Sequence, residues 1–195
     1  MYQAKQQAEQ SRVAGLVSQT SGTIQQYSND IKDAEAKAEE IEAQIRAQEE
    51  DIKQLEAKLA EEMRLSKLAA ASSWRDISEV SFAEGDRYLL ANLIYCEAGA
   101  EPYEGKVAVG AVVINRVLSS VYPDTVVGVI YQNRQFSPVA SGRLALALAE
   151  GRATASCFQA ADEAMKGYSN VGNCVYFRTP IPGLSGRNIG GHVFY

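Results

Sequence analysis

The residue best suited to chemistry in this chain is a glutamate at the end of an apolar helical stripe. Leu90, Leu93 and Ile94 follow the spacing of a buried helix face, and the next position of that face is Glu97. Gly99 then follows as a typical helix C-cap. Because burial disfavours an ionised carboxyl group, we expect the pKa of Glu97 to be raised, as a general acid requires at neutral pH. The same spacing also permits a register in which Glu97 is solvated at a frayed helix end.

The chain has two parts that differ in charge and composition, and Glu97 lies in the second. Residues 1–79 carry 10 Lys and Arg against 15 Asp and Glu, whereas residues 80–195 carry 9 of each. All 5 prolines lie beyond residue 100, and neither glycine nor proline occurs in residues 23–84. A long segment without helix breakers favours a rod, and a segment rich in turn residues favours a compact domain. We therefore predict a helical stalk with its linker over residues 1–79 and a compact domain over residues 80–195.

Apolar residues recur with heptad spacing along the stalk. The a positions are Ile24, Ile31, Ala38, Ile45, Ile52 and Leu59, and the d positions are Tyr27, Ala34, Ile41, Gln48 and Leu55. This pattern predicts a long coiled-coil helix that associates with itself or with a partner protein. The e positions of the four heptads that begin at Ile31, Ala38, Ile45 and Ile52 are all acidic: Glu35, Glu42, Glu49 and Glu56. A solvated single helix that acts as a spacer is the alternative.

The compact domain is predicted to belong to the α+β class. Hydrophobic periodicity predicts helices over residues 86–98, 107–118, 125–132 and 156–167. The second of these is apolar on nearly all sides and is expected to be the central core helix, with Gly110 permitting close approach of a neighbour. Residues 175–179 and 192–195 alternate like strands and predict a short β-hairpin with a long glycine-rich loop. Residues 135–138 predict a loop that exposes Phe136.

The composition also excludes several classes of function. A net charge of −5 argues against a nucleic-acid-binding protein. No apolar run of about 18 residues is available to span a membrane. The chain has 1 histidine, too few for a histidine-based metal cage, and we predict neither a metal nor a cofactor.

The segments around Glu97 and the carboxyl terminus resemble a known family. Residues 93–109 read LIYCEAGAEPYEGKVAV, and residues 113–117 read VINRV. QFS at 135–137, YF at 176–177 and IGGHVFY at 189–195 follow in order. Over residues 86–195 the chain resembles the cell-wall hydrolase family of the spore-cortex-lytic enzymes (SleB/CwlJ type). It departs from the family pattern at Cys96, where alanine is usual, and at Ala100, where an arginine-glycine type of loop is often found.

The resemblance implies an enzyme that acts on peptidoglycan. Members cleave glycan strands between N-acetylmuramic acid and N-acetylglucosamine in the manner of a lytic transglycosylase, with one glutamate that falls on Glu97. The family fold is a small helix-rich, lysozyme-like domain with a short β element and a long groove. The substrate implies an extracytoplasmic location, in the cell wall or spore cortex. The polar residues 1–10 are not a signal peptide, so either the protein is cytosolic or the numbered chain begins after a removed leader.

Further site residues are expected beside Glu97. A second carboxylate about 5–9 Å away would allow hydrolysis by water. Glu104 is a candidate for it or a charge at a helix N-terminus, whereas Glu101 is expected to be a solvated loop charge. The candidate substrate-binding residues are Tyr103, Glu104, Gln135, Phe136, Tyr176 and His192. The rings of these tyrosines and of Phe136, and that of Tyr195, could stack on sugars or lie buried. Gln135 could bind an acetamido group. A histidine such as His192 is more often structural than catalytic.

Two other classes of function remain open from the sequence. A cysteine amidase or peptidase would use Cys96 as nucleophile and His192 as base. A non-catalytic module would bind wall glycan while the coiled coil recruits partners. Cys157 and Cys174 flank a helix–turn–strand segment and favour a disulfide over two small buried thiols, which leaves Cys96 free.

Overall fold

A computed structural model describes residues 2–132 and 135–195 and shows two compact units, one up to Lys58 and one from Leu59 to Tyr195. Helix α1 (Tyr2–Ala71) forms the first unit up to Lys58, and the last turns of this helix, from Leu59, belong to the second unit. The heptad residues of the first unit are solvent-exposed, with Ile24 63% and Ile52 55% accessible. Glu42 and Arg46 form an ion pair at 3.7 Å, one helical turn apart. No helix in the described residues is long and apolar enough to cross a membrane.

The second unit begins before the boundary predicted at residue 80. Ala69 of helix α1 is fully buried in its core, and Leu65 packs against the same cluster. The Trp74 indole donates a hydrogen bond to the Ala69 carbonyl at 2.9 Å, and the Tyr195 hydroxyl donates to Glu62 Oε2 at 2.8 Å. The end of the predicted stalk is therefore part of the compact fold, because it contacts both the core and the carboxyl-terminal residue.

The second unit is helix-rich, as predicted. After a short 3₁₀ turn (Ile77–Glu79), its helices are α2 (Asp86–Ala98), α3 (Tyr103–Leu118), α4 (Val126–Tyr131), α5 (Ser137–Ala140), α6 (Arg143–Glu150) and α7 (Ala155–Met165). Helix α2 has the predicted bounds. Helix α3 begins at Tyr103, four residues before its predicted start at residue 107. The sequence analysis did not identify α5 and α6.

Helices α2, α3 and α7 form the core. Leu93 and Ile94 of α2 are fully buried, and so is nearly every residue of α3 from Gly105 to Val117. A Cβ added to Gly110 would lie 3.1 Å from Ile94 Cδ1 and 3.2 Å from Ala164 Cβ. The absence of a side chain at Gly110 therefore lets α2 and α7 approach α3 closely, and this packing fixes the end of α2 that carries Glu97.

Three short strands complete the unit: β1 (Phe177–Arg178), β2 (Arg187–Ile189) and β3 (His192–Phe194). They form one antiparallel sheet in the order β1-β3-β2. The predicted pairing of the first and last strands is present, but the long loop between them contains β2. Strands β2 and β3 form a tight hairpin whose turn is Gly190 and Gly191, with Gly190 at a φ of +57°.

Candidate active site

Glu97 lies in the last turn of α2 and is partly buried in the wall of a cleft of about 580 Å³. The residues lining the cleft are Tyr95, Cys96, Glu97, Gly99, Ala100, Glu101, Arg143, Leu146, Ala147 and Arg152. The helix register predicted from the apolar stripe is the one the structure adopts. Glu97 therefore lines an open cleft, where a bound substrate could reach its carboxyl group.

The environment of Glu97 favours its protonated form. Burial raises the pKa of its carboxyl group, and the positive charge of Arg143 opposes that rise as the smaller effect. Among the described residues, Glu97 makes no hydrogen bond or ion pair that would stabilise the carboxylate. A carboxyl group in this setting keeps its proton to a higher pH than an exposed glutamate does, and it can donate that proton to a bound substrate.

Arg143 is a cleft residue that the sequence analysis missed. It is the first residue of α6, a short helix bracketed by Gly142 and Gly151, both with positive φ. The Cys96 thiol donates to the Arg143 carbonyl at 3.8 Å, which ties the start of α6 to the last turn of α2. The two glycines mark the helix in the sequence, but Leu144, Leu146 and Leu148 alternate like a strand and obscure its helical character.

Glu101 is not the solvated loop charge that was predicted. Its Oε2 atom accepts a hydrogen bond from the Gly191 backbone N–H at 2.9 Å, and its Oε1 atom lies 3.9 Å from His192 Nδ1. The Lys106 ammonium donates to the Glu101 carbonyl. Glu101 lines the same cleft as Glu97 and holds the turn of the β2–β3 hairpin against the loop that follows α2.

Tyr103 and Glu104 line a different pocket. This pocket, of about 530 Å³, is formed with Val107, Glu163, Lys166, Tyr168 and Asn170. Glu104 is exposed in the first turn of α3, where a carboxylate interacts favourably with the helix dipole. Burial and the nearby Glu163 carboxylate raise the pKa of Tyr103 to about 12. The second carboxylate in the cleft with Glu97 is therefore Glu101, not Glu104.

Gln135, Phe136 and Tyr176 surround a buried arginine. The Arg116 guanidinium donates to Gln135 Oε1 at 2.8 Å and to the Val175 carbonyl at 2.6 Å. It lies 4.6 Å from the ring centroid of Tyr176 and 5.2 Å from that of Phe136. The prediction that Phe136 is exposed is wrong, since its accessibility is 3% and that of Tyr176 is 4%. Burial lowers the pKa of Arg116. The cation–π contacts and hydrogen bonds offset the free-energy cost of burying its charge.

His192 bridges the sheet and the Glu101 loop. Its ring packs edge-on against Phe177, with centroids 5.3 Å apart. Among the described residues, no hydrogen bond joins it to Cys96, whose thiol donates to Arg143 instead. Burial raises the pKa of the Cys96 thiol, which disfavours the thiolate that a cysteine nucleophile needs. The geometry therefore offers no support for a Cys96–His192 pair.

The predicted disulfide between Cys157 and Cys174 is absent, and all 3 cysteines are free thiols. The Cys157 sulfur is buried in the first turn of α7 and accepts a hydrogen bond from Thr154 Oγ1 at 3.2 Å. Cys174 is partly buried, and its backbone carbonyl accepts a hydrogen bond from the Asn115 amide at 2.8 Å. In residues 2–132 and 135–195, no group of three or more His, Cys, Asp and Glu side chains could hold a metal ion.

Comparison with known proteins gives a consistent set of relatives. The sequence profile of a family described as Cell Wall Hydrolase matches residues 100–195. Over 121 residues, 58% of this chain, the chain is 38% identical to a spore cortex-lytic enzyme of Oceanobacillus iheyensis and 35% identical to one of Bacillus subtilis. It covers 42% and 38% of those two proteins, so it spans less than half the length of these curated relatives.

Two solved structures share the fold of the second unit. The catalytic domain of the Bacillus cereus SleB protein matches with a TM-score of 0.51 and 35% identity, over 58% of this chain and 91% of that one. The catalytic domain of the germination-specific lytic transglycosylase SleB from Bacillus anthracis matches with a TM-score of 0.50 and 34% identity, over 58% of this chain and 96% of that one.

Proposed function

Because this chain belongs to the cell wall hydrolase family, we propose that it is an enzyme that cleaves the glycan strands of peptidoglycan between N-acetylmuramic acid and N-acetylglucosamine. Its outcome is that of a lytic transglycosylase, and Glu97 is its single acid/base. The observation that carries this proposal is the position of Glu97, partly buried at the end of α2 in a cleft, with a raised pKa. The names of the spore cortex-lytic relatives support peptidoglycan as the substrate.

The reaction needs one carboxyl group in two successive roles. Protonated Glu97 donates its proton to the glycosidic oxygen while the bond between that oxygen and the muramoyl C1 breaks through an oxocarbenium-like state. The resulting Glu97 carboxylate then takes the proton of the muramoyl 6-hydroxyl, whose oxygen forms a bond to C1. The products are a 1,6-anhydromuramoyl end and a free N-acetylglucosamine end, and Glu97 regains its proton.

The contacts of Glu101 support this outcome over plain hydrolysis. Hydrolysis by water would need a second carboxylate free to act as a base. Glu101 is the second carboxylate of the cleft, and its Oε2 atom already accepts the Gly191 N–H. We assign Glu101 a structural role and leave the muramoyl 6-hydroxyl as the nucleophile. The substrate places this activity outside the cytoplasmic membrane, in the cell wall or spore cortex.

Mass analysis of glycan fragments tests the proposal directly. Purified wall is incubated with the wild-type chain, with Glu97→Gln and with Glu104→Gln as the matched control. We expect anhydromuramoyl ends from the wild type and the control, and a loss of about 10²–10⁴-fold or more for Glu97→Gln, since one group serves as acid and base. Reducing ends would indicate hydrolysis, and binding to wall without products would indicate a non-catalytic module.

A further inference from the structure

The cleft that holds Glu97 also presents a cation without an anionic partner. Arg143 lines this cleft, and its side chain makes one weak hydrogen bond, from Nη2 to Ser137 Oγ at 3.3 Å. In residues 2–132 and 135–195, Arg143 pairs with no carboxylate. The other arginine of the cleft differs, because Arg152 is bound to Glu150 at 2.5 Å. The structure thus leaves the charge of Arg143 unneutralised beside the proposed acid.

The local structure at position 143 does not favour a positively charged side chain. It is the first residue of α6, and the partial positive charge of a helix N-terminus disfavours a positive side chain there. No side chain caps this end of the helix. A positive charge in that place gains nothing from the helix, whereas an anionic group bound to the guanidinium would form charge-assisted hydrogen bonds.

We propose that Arg143 binds a carboxylate on the muramoyl unit of the substrate, carried by its lactyl group or by the peptide attached to that group. The inference rests on the proposed function, which brings a muramoyl C1 to Glu97. The 3-O-lactyl substituent belongs to the same sugar ring and must therefore lie in or beside the cleft that Glu97 and Arg143 share. Its carboxyl group is either free or extended by a peptide that carries its own carboxylates.

Recognition of that carboxylate also assists the chemistry. In the free protein, the positive charge of Arg143 lowers the pKa of Glu97 against the larger effect of burial. A carboxylate bound to Arg143 offsets this charge, so Glu97 retains its proton more firmly once the substrate is in place. Binding and proton donation are then coupled through Arg143.

Three glycan substrates separate the sources of the carboxylate. The first retains its peptides, the second has them removed so that the lactyl carboxylate is free, and the third is the second with its carboxyl groups converted to neutral amides. Values of kcat/KM are measured for the wild type, Arg143→Gln, Arg143→Lys and Arg187→Gln. The last variant is the control, since Arg187 is an exposed arginine of β2 and its loss changes the net charge equally.

We expect the wild type to prefer the substrates that carry a carboxylate, and Arg143→Gln to lower kcat/KM on them by about 10- to 100-fold. Arg143→Lys should retain part of the preference, and the control should match the wild type on all three substrates. Arg143→Gln should change the rate on the amidated glycan much less than on the charged substrates. Loss only on the first substrate would identify a carboxylate of the peptide, and loss only on the second would identify the free lactyl carboxylate. Loss on both would show that Arg143 binds either one.

Two results would overturn the inference. One is an equal loss by Arg143→Gln on charged and amidated glycan, which would give Arg143 a role without recognition. The other is a wild-type rate that does not distinguish charged from amidated glycan, a measurement that needs no variant to fold. Failure of the proposed function looks different, because the wild type would then cleave none of the three substrates.

Discussion

Glu101 accepts a hydrogen bond from the backbone N–H of Gly191 at 2.9 Å, although 90 positions separate the two residues in the chain. This contact fastens the β2–β3 hairpin to the loop that follows the helix of Glu97. A Cβ on the preceding residue, Gly190, would lie 1.9 Å from Glu101 Oε2. A side chain at position 190 would therefore have to displace the Glu101 carboxylate and break this hydrogen bond.

Gly190→Ala should destabilise the protein more than Gly183→Ala. Both residues have positive φ, at +57° and +81°, but only Gly190 lacks space for a Cβ. Gly183→Ala should lower the free energy of unfolding by about 1 kcal/mol through backbone strain alone. Gly190→Ala should lower it by about 3 kcal/mol, because the clash with Glu101 is added. Urea unfolding measures the free energy of unfolding of both variants. Equal decreases would contradict the close contact between the hairpin turn and Glu101.

Glu97→Gln should stabilise the fold at neutral pH while it removes activity. The folded state raises the pKa of Glu97, so wild-type stability is present in full below the unfolded value, 4.5, and falls as pH rises toward the folded value. Glutamine does not ionise and avoids this loss. The variant should therefore melt at a higher temperature than the wild type at pH 7, and the difference should shrink at pH 4. A difference that grows on acidification would show that Glu97 is stabilised as a carboxylate.

The end of helix α1 should be required for the stability of the second unit. A fragment of residues 59–195 retains buried Ala69 and the Glu62–Tyr195 hydrogen bond, whereas a fragment of residues 80–195 loses both, together with Trp74. We expect the shorter fragment to be less stable by at least about 3 kcal/mol. Tyr195→Phe in the longer fragment is the control for the hydrogen bond alone, at about 1 kcal/mol. Equal unfolding midpoints of the two fragments would show that residues 59–79 do not stabilise the second unit, and that the predicted boundary at residue 80 is right.

The exposed heptad stripe of the first unit should support weak self-association limited by charge. In a parallel pair, Asp51 would face Glu56 of the second copy, whereas Lys37 would face Glu42 favourably. Salt screens the repulsion, so sedimentation of residues 1–73 should show more dimer at 1 M than at 0.1 M salt. Glu56→Lys should strengthen the dimer at low salt. A helical segment that stays monomeric in every case would instead be a single-helix spacer.

The sequence by itself determined the helical frame and the identity of the candidate acid. Leu90, Leu93, Ile94 and Glu97 share one face because the period of the helix is local, so the register could be derived without any distant contact. The heptads predicted the stalk for the same reason. The approximate positions of β1 and β3 also followed from local alternation, whereas β2 lies in a segment predicted to be a loop.

Only the tertiary structure decided what surrounds Glu97. Arg143 and Glu101 enter its cleft because α6 and the β2–β3 hairpin pack against the end of α2, and such contacts between distant segments leave no periodic signal. Phe136 and Tyr176 are buried with their rings against the Arg116 guanidinium, a contact between distant segments that residues 135–138 do not reveal. Periodicity depends on neighbours along the chain, whereas the charge and shape of a cleft depend on which segments meet in space.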